Sequence, residues 1–269
     1  MNHTVLLAGC GNMGFAMLQG WLSSGALAAG AVQVVEPAEA LRSRAASLGV
    51  AAVSSAEEAG GLPGIVILAV KPQIMGNVLP SYIRCANSGS AFLSIAAGIS
   101  SAFMAERLGA QTPIIRCMPN TPAAIGKGML VYWKNAYVSA KCEALVQSLL
   151  TASGRVARVE DEALIDAVTA VSGSGPAYVF HFIECLTDAG VDAGLPRDIA
   201  GELAMQTVMG SGALAAQSAE TPSRLREQVT SPNGTTAAAL AVLMKDGRMK
   251  VLIGEAVEAA HKRAVELGS

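Results

Sequence analysis

Hydrophobic residues in the first half of the chain form short unbroken runs, with helix-like stretches between them. These runs lack the polar alternation of a half-exposed strand, so each predicts a strand covered on both faces, as in a parallel sheet. The predicted strands are residues 4–8, 32–35, 50–53, 65–70 and 92–96, with helices at residues 12–24 and 38–48 that end at Gly25 and Gly49. Strands that alternate with helices predict a doubly wound α/β domain.

The pattern changes near Gly154. After a last candidate strand at residues 155–159, the remaining segments open with residues that favour helix starts. These starts are Asp161, Pro176, Pro196 and Thr221-Pro222, and further helices are predicted at residues 235–246 and 248–267. We therefore predict a doubly wound parallel α/β domain over residues 1–157, followed by an all-α domain over residues 158–269.

The predicted helix at residues 196–216 is apolar nearly all round and rich in Gly and Ala. Such a helix needs neighbours on every side. Over the whole chain, 52% of residues are hydrophobic and 15% are charged, where an ordinary domain has about 25% charged residues. A partner subunit would cover the surplus apolar surface, so the sequence predicts a homodimer or a higher homo-oligomer.

Charge and cysteine content exclude several classes of protein. The net charge is −2 and aromatic residues make up 4%, which provides neither a basic field nor a stacking surface for nucleic acid. No apolar stretch approaches the ~20 residues of a membrane span. Five scattered cysteines favour reduced thiols. The sequence thus predicts a cytoplasmic protein with no nucleic-acid or membrane partner.

The three histidines, His3, His181 and His261, form no recognisable catalytic or metal-binding pattern. The sequence also contains no HExxH motif, no Cys/His cluster and no GxSxG elbow. We therefore predict no metal site and no hydrolase chemistry.

A glycine motif, GCGNMG, directly follows the first predicted strand and opens the first predicted helix. Gly9 can make the tight turn, Gly11 lets the backbone approach a pyrophosphate, and Gly14 permits close helix packing. Free amides at the helix start, including those of Asn12 and Met13, would bind the anion. This context predicts dinucleotide binding rather than a merely structural glycine turn.

Glu36 follows the second predicted strand, and Arg42 and Arg44 lie a few residues further on. A carboxylate there can accept hydrogen bonds from both ribose hydroxyls of NAD and would repel the 2′-phosphate of NADP. The arginines could bind that phosphate instead, and a solvated helix start is a third interpretation. The sequence leaves NADPH and NADH both open.

Later strand ends should line the cofactor as well, because ligands of open parallel sheets lie at the carboxyl ends of the strands. The candidate residues are Ala69, Val70, Lys71, Pro72, Ala97, Gly98 and Asn120. Lys71 could be a catalytic lysine, but Pro72 directly after it favours a loop in which Lys71 is solvated.

Two stretches of the helical half point to ligands. Residues 172–176, SGSGP, interrupt an otherwise continuous helix, and each glycine there costs about 1 kcal/mol relative to Ala. Close helix crossing or a ligand should compensate. Residues 231–236, SPNGTT, place hydroxyls and free amides at a helix start, which suits a carboxylate better than a plain N-cap.

These motifs together resemble the pyrroline-5-carboxylate reductase family nearly end to end. The matching segments are GCGNMG, AVKPQ, SIAAGI, RCMPNTPA, VTAVSGSGPAY, AGLP and VTSPNGTTAAAL. Asn233 stands where the family more often has glycine. The acidic residue often found ahead of that loop has only Glu220 as a counterpart here.

The resemblance implies a Rossmann domain and a helical domain that interlocks with its twin in a dimer. It implies hydride transfer from NADPH or NADH to the C=N carbon of 1-pyrroline-5-carboxylate, giving L-proline, without a metal. The family's substrate loop maps onto Ser231, Asn233, Gly234, Thr235 and Thr236, and its threonine beside the nicotinamide ribose maps onto Thr169. Thr169 and Thr236 are then the candidate catalytic hydroxyls, which would pass a proton from water to the ring nitrogen.

Two alternatives stand beside this interpretation. A hydroxyacid-dehydrogenase-like oxidoreductase would also carry an N-terminal glycine motif, but it should show a catalytic lysine on a helix of the second half. There the lysines are Lys245, Lys250 and Lys262, and none follows a glycine-rich helix start. A non-enzymatic nucleotide-binding scaffold would have no reason to keep both the SGSGP and SPNGTT segments.

Overall fold

A computed structural model describes residues 4–268, so His3 lies outside the described residues. These residues contain an eight-stranded sheet in the order β3-β2-β1-β4-β5-β6-β7-β8. The strands are β1 (Val5–Ala8), β2 (Val32–Val35), β3 (Ala51–Val53), β4 (Ile65–Leu68), β5 (Ala91–Ser94), β6 (Ile114–Met118), β7 (Gly128–Lys134) and β8 (Gly154–Arg158). Each predicted strand is present, within three residues of its predicted bounds.

The doubly wound α/β fold is confirmed, with one correction to the prediction of a wholly parallel sheet. Strands β1 to β6 are parallel, whereas β7 pairs antiparallel with β6 and β8 runs parallel to β7. The reversal is possible because only a short loop with a 3₁₀ turn (Thr121–Ile125) joins β6 to β7, and such a loop cannot carry the crossover that a parallel pair needs. Sequence reasoning missed both β6 and β7.

Helices cover both faces of the sheet, as unbroken apolar strands require. They are α1 (Asn12–Ser23), α2 (Glu39–Ala46), α3 (Met75–Val78), α4 (Ile83–Asn87), α5 (Ser101–Leu108) and α6 (Ala140–Thr151). One core cluster contains Trp21 of α1 and Leu149 of α6, and the other contains Met75 and Met104. The indole nitrogen of Trp21 donates to the Leu149 carbonyl at 3.0 Å, which ties α1 to α6.

The second half is helical, as predicted. Its helices are α7 (Leu164–Val168), α8 (Gly175–Asp192), α9 (Arg197–Gln217), α10 (Pro222–Gln228), α11 (Thr235–Met244) and α12 (Arg248–Gly268). A π-helical turn, Thr169–Gly173, follows α7, and Ser174 separates it from α8, so the SGSGP segment interrupts the α-helix, as predicted.

The chain divides into two compact units. The first contains the residues up to Ser174 and those from Ala260 onward, and the second is Gly175–Ala259. The domain boundary predicted between residues 157 and 158 falls at the end of the last strand, which ends at Arg158, and stays a prediction.

Helices of the second unit leave many large apolar side chains exposed. Examples are Phe180, Leu203, Met209 and Val242, which are each exposed by more than half of their surface. Helix α9, predicted to need neighbours on every side, has only Ala200 and Ala204 fully buried among its described residues. None of the helices within residues 4–268 is both long and apolar enough to span a membrane.

Candidate active site

The glycine motif forms a turn between β1 and α1 in which each glycine has a different steric role. Gly9 adopts φ +89, where a Cβ would lie 2.7 Å from the Ala69 carbonyl oxygen. A Cβ on Gly14 would lie 2.5 Å from the Gly9 carbonyl oxygen, whereas a Cβ on Gly11 would meet no atom within 4 Å. Gly9 and Gly14 are therefore required by packing, and Gly11 faces open space that a ligand can approach.

Amides at the start of α1 are available for an anion. Gly11 is the N-cap residue and supplies no side-chain hydrogen bond to the first turn. The first N–H groups of a helix have no intrahelical partner and carry the positive end of its dipole. Asn12 and Met13 contribute two of these N–H groups, so this turn suits a pyrophosphate.

A cleft of about 510 Å³ lies beside this turn, within the range of small-ligand sites, roughly 300–1,000 Å³. Six of the predicted cofactor residues line it, namely Gly9, Gly11, Glu36, Ala69, Val70 and Lys71. The sequence did not single out another group in the lining, which includes Pro37, Leu41, Ser54, Ser55, Glu57, Asn77 and Ser81. Ser54 and Ser55 directly follow β3, which ends at Val53. The rule that ligands lie at the carboxyl ends of parallel strands, applied to β3, would have identified both serines.

Glu36 is buried, with 6% of its surface exposed, so it is not a solvated helix start. Its carboxylate Oε2 accepts a hydrogen bond from the Cys10 amide at 2.7 Å, and Oε1 accepts one from the Ala38 amide at 2.9 Å. These bonds fix the carboxylate against the glycine turn, at the edge of the cleft.

Cys10, inside the glycine turn, is fully buried. Burial raises the pKa of its thiol to about 11, against the lowering effect of the Arg44 guanidinium and together with the raising effect of Glu36. The thiol is therefore neutral at physiological pH and places no negative charge beside an anion in the turn.

Other predicted cofactor residues have visible structural roles outside this cleft. Gly98 adopts φ +76, and a Cβ there would lie 2.7 Å from the Leu267 backbone; this glycine, which follows Ala97, thus lets the end of α12 pack closely. Pro72 opens a 3₁₀ turn after Lys71. These contacts supply structural reasons for both residues that are independent of any cofactor.

Asn120 connects the loop after β6 to the π-helical turn. Its side-chain nitrogen donates to the Ser172 carbonyl at 3.2 Å and to the Ser172 hydroxyl at 3.3 Å, while its oxygen accepts from the Met129 amide at 2.8 Å. A Cβ on Gly173 would lie 3.3 Å from the Met118 sulfur. Gly173 thus packs against a side chain of β6, whereas the sequence predicted a helix crossing or a ligand.

Thr169 begins the π-helical turn, and its carbonyl accepts from the Ser174 amide at 2.8 Å. Its hydroxyl donates to the Ile165 carbonyl at 2.8 Å and is half-buried. The hydroxyl proton is thus engaged by the helix, and the oxygen lone pairs are the part of Thr169 that can accept a hydrogen bond from a ligand.

The SPNGTT segment, in the second unit, forms a turn before α11. Asn233 adopts φ +58, a left-handed conformation that Gly and Asn tolerate best, which explains why asparagine suits this position. Gly234 is the N-cap of α11, and a Cβ there would lie 2.6 Å from the Ser231 hydroxyl oxygen. Ser231, Gly234 and Thr235 therefore lie at one helix start, and Thr236 lies in the first turn. The Gly234 amide, which the sequence predicted to be free, donates to the Ser231 carbonyl at 3.1 Å.

A buried ionic cluster escaped sequence reasoning. Arg116, in β6, has 5% of its surface exposed; its Nη1 lies 2.9 Å from Glu162 Oε1 and its Nη2 lies 3.6 Å from Asp166 Oδ1. Glu162 also accepts hydrogen bonds from the amide and hydroxyl of Ser101 at 2.7 and 2.5 Å. An arginine inside an apolar strand, IIRCM, was the available signal, because buried charges need partners.

Histidines and metal ligands contribute nothing further within the described range. His181 is exposed and contacts Glu184 at 3.0 Å. Among residues 4–268, no group of three or more His, Cys, Asp and Glu side chains is arranged to hold a metal ion.

Comparison with known proteins identifies the family. Residues 162–267 match the model described as pyrroline-5-carboxylate reductase dimerisation, and residues 4–98 match NADP oxidoreductase coenzyme F420-dependent. The pyrroline-5-carboxylate reductase of Pseudomonas aeruginosa PAO1 is 40% identical over 265 residues, which cover 98% of this chain and 96% of that protein. The chain belongs to the pyrroline-5-carboxylate reductase family.

Solved structures agree with this family membership. A pyrroline-5-carboxylate reductase from Coxiella burnetii has a TM-score of 0.93 at 30% identity, with all of both chains covered. The Plasmodium falciparum pyrroline carboxylate reductase with NADP bound has a TM-score of 0.87 at 32% identity and covers 100% of this chain and 99% of that one. Membership of this family sets aside the hydroxyacid-dehydrogenase alternative.

Proposed function

We propose that this chain reduces 1-pyrroline-5-carboxylate to L-proline with NADPH or NADH, the last step of proline biosynthesis. The observation that carries the proposal is the glycine turn, with open space at Gly11 and uncapped amides at the start of α1, in a chain 40% identical to a pyrroline-5-carboxylate reductase over nearly its whole length.

The nicotinamide cofactor would supply the hydride, and the protein's residues bind, orient and shield the reactants. Gly9, Gly11, Asn12, Met13 and Gly14 form the turn that would hold the pyrophosphate. Glu36, Ala69, Val70 and Lys71 would line the cofactor from neighbouring strand ends. Pro72, Ala97, Gly98 and Asn120 complete the proposed cofactor set, with Asn120 acting through the turn that contains Ser172.

The substrate is a small cyclic imine with one carboxylate, so that carboxylate is the main group by which the ring can be oriented. We assign this role to Ser231, Asn233, Gly234, Thr235 and Thr236. The Thr235 amide and the exposed Ser231 hydroxyl lie at the start of α11, where the helix dipole also favours an anion. The Gly234 amide already donates to the Ser231 carbonyl at 3.1 Å and shapes the turn.

An assay of proline formation coupled to NADPH or NADH oxidation tests the proposed function and separates it from the nucleotide-binding scaffold alternative. Within this assay, Ser231→Ala should raise KM for the imine roughly tenfold, because a hydrogen bond to a charged group contributes ~1.5–3 kcal/mol. Ser218→Ala, which alters a hydroxyl at the end of α9 that accepts from the Glu220 amide, is the matched control. An unchanged KM for Ser231→Ala would contradict the assignment.

Thr169 and Thr236 are the proposed catalytic hydroxyls. Neither is acidic enough to be the ultimate proton source, so each would relay a proton from water to the ring nitrogen. For Thr169 this relay requires the hydroxyl to turn from the Ile165 carbonyl, to which it donates, toward the substrate. Thr169→Ala and Thr236→Ala should lower kcat by about 10- to 100-fold, at the lower end of general acid–base contributions, and change nucleotide affinity less. Thermal unfolding of both variants is the control, because the bond from Thr169 to Ile165 also supports the helix. Variants that unfold earlier but keep full kcat would show that these threonines are structural.

We further propose a homodimer or larger homo-oligomer of domains 1–157 and 158–269, located in the cytoplasm and without nucleic-acid or membrane partners. The match to a dimerisation model over residues 162–267 and the exposed apolar faces of α8, α9 and α11 support the assembly. Five free cysteines are compatible with a reducing compartment.

A further inference from the structure

The nucleotide cleft carries more negative than positive charge at its lining. Its charged residues are Glu36, Glu57 and Lys71. Glu36 follows β2 and Glu57 lies beyond β3, whereas Lys71 follows β4, two strand positions from β2 in the sheet, which is about 10 Å at the usual strand spacing. The end of the cleft at β2 and β3 is therefore the acidic end.

The carboxylate of Glu36 is fixed at that acidic end. Both of its oxygens accept backbone hydrogen bonds, from Cys10 at 2.7 Å and from Ala38 at 2.9 Å. Each oxygen keeps further lone pairs that can accept from a hydroxyl. In doubly wound folds an acidic residue at this strand end accepts from the ribose hydroxyls of the dinucleotide, so a ribose diol would meet an acceptor that is already in place.

The two nearby arginines are turned to backbone carbonyls. Arg42 Nη1 donates to the carbonyls of Glu36 and Pro37 at 3.0 and 2.9 Å. Arg44 Nη2 donates to the carbonyl of Cys10 at 3.1 Å, and its guanidinium lies over the Phe15 ring at 4.1 Å from the centroid. Neither arginine is among the residues that line the cleft.

A ribose with a 2′-phosphate would therefore bring an anionic group toward a fixed carboxylate, while the guanidinium groups of Arg42 and Arg44 donate to backbone carbonyls. Like charges placed together in a partly desolvated site strongly disfavour binding. A ribose with a free 2′-hydroxyl would instead donate a hydrogen bond to the same carboxylate.

We propose that Glu36 is a specificity-determining residue that makes this chain prefer NADH to NADPH. The inference rests on the proposed function, because it presumes that the cleft binds the nicotinamide dinucleotide. It also distinguishes this chain from the relative whose solved structure holds NADP.

Binding of NADH and NADPH to the intact protein, measured by calorimetric titration without imine, tests the proposal. The wild-type protein should bind NADH at least about tenfold more tightly than NADPH, and AMP more tightly than adenosine 2′,5′-bisphosphate, because only the phosphorylated members meet the repulsion. Glu36→Gln removes the charge at nearly the same side-chain size and gives up one of the two backbone hydrogen bonds, because an amide nitrogen cannot accept. This variant should raise NADPH affinity by about tenfold or more relative to NADH.

Glu57→Gln is the matched control, since it removes the same charge from the same cleft. Glu57 is exposed, whereas Glu36 is buried, so this variant should change the NADH to NADPH affinity ratio less than twofold, as expected for a solvent-screened charge. An equal shift in both variants would show that general cleft charge, rather than Glu36, sets the preference.

Arg44→Gln tests the competing assignment, because Arg44 Nε is buried with no hydrogen-bond partner among the described residues and could be recruited by a phosphate. Selective loss of NADPH binding in that variant, or equal affinity of the wild-type protein for both nucleotides, would overturn the proposal. The titrations of the wild-type protein with the different nucleotides test the proposal even if one of the variants fails to fold. If the protein binds the nucleotides but forms no proline, the proposed function is contradicted. The preference for NADH or NADPH can still be measured in that case.

Discussion

Replacement of Arg116 by methionine is expected to lower the free energy of unfolding by about 3–5 kcal/mol, the range measured when one partner of a buried ion pair is removed. Methionine fills similar volume, so the loss isolates the charge. Without the guanidinium, Asp166 loses its nearby cation and Glu162 keeps only its bonds to Ser101. Urea unfolding followed by far-ultraviolet circular dichroism measures the change, because the fluorescence of Trp133, the cross-strand partner of Arg116, would respond to the substitution itself.

Arg158→Met is the matched control for this experiment. Arg158, in β8, also contacts two carboxylates, Glu143 at 3.0 Å and Glu160 at 2.6 Å, but its side chain is 38% exposed. Exposed ion pairs contribute about 0–1 kcal/mol. Equal destabilisation by both substitutions would show that burial of Arg116 does not increase the contribution of its ion pairs to the free energy of unfolding.

The second large effect concerns the glycine turn, where two alanine substitutions should separate binding from folding. Gly11→Ala is expected to weaken dinucleotide affinity by about 100-fold, or ~2.7 kcal/mol, because its methyl group would occupy the space that a pyrophosphate approaches. The protein itself should stay nearly as stable, since that methyl group meets no atom within 4 Å.

Gly14→Ala should behave in the opposite way. Its Cβ would lie 2.5 Å from the Gly9 carbonyl oxygen and 3.2 Å from Ala69 Cβ, so the variant should lose about 1–3 kcal/mol of stability through overpacking. Calorimetric titration with NADH and NADPH, together with thermal unfolding of both variants, measures the two effects. Full nucleotide affinity in Gly11→Ala would contradict the proposed position of the pyrophosphate.

Much of the fold follows from local pattern. Strands β1 to β5 are unbroken apolar runs flanked by Gly, Pro or Ser, and these two features together locate them in the sequence. The glycine turn was predictable because Gly9, Gly11 and Gly14 lie directly between a strand and a helix, at the spacing that a dinucleotide-binding turn requires. Helix starts at Pro196 and Thr221 were also predictable, since Pro196 is the N-cap of α9 and the Thr221 hydroxyl caps α10.

Other features depend on contacts between residues distant in sequence. The direction of β7 is set by pairing with β6, through partners such as Cys117 and Tyr132, and hydrophobic pattern alone does not encode strand direction. In the sequence, the charged Arg116 interrupts the apolar run of β6. Its partner Glu162 lies far away in the sequence and is identified only by the fold. The sequence predicts only a cofactor role for Gly98, and that role stays a prediction; the close contact of Gly98 with Leu267, far away in the sequence, could not be foreseen.

The π-helical turn at residues 169–173 makes this stretch sensitive to chain length as well as to side-chain identity. Such a turn holds one residue more than the α-helical turn it replaces. Deleting a residue between Thr169 and Ser172 would let the turn close as an α-helix and rotate the residues on one side by about 100°. Ser172 accepts a hydrogen bond from Asn120. After the deletion, Thr169 and Ser172 could not both keep their present positions. Evolutionary insertions and deletions should therefore be excluded from this segment even where substitutions are accepted.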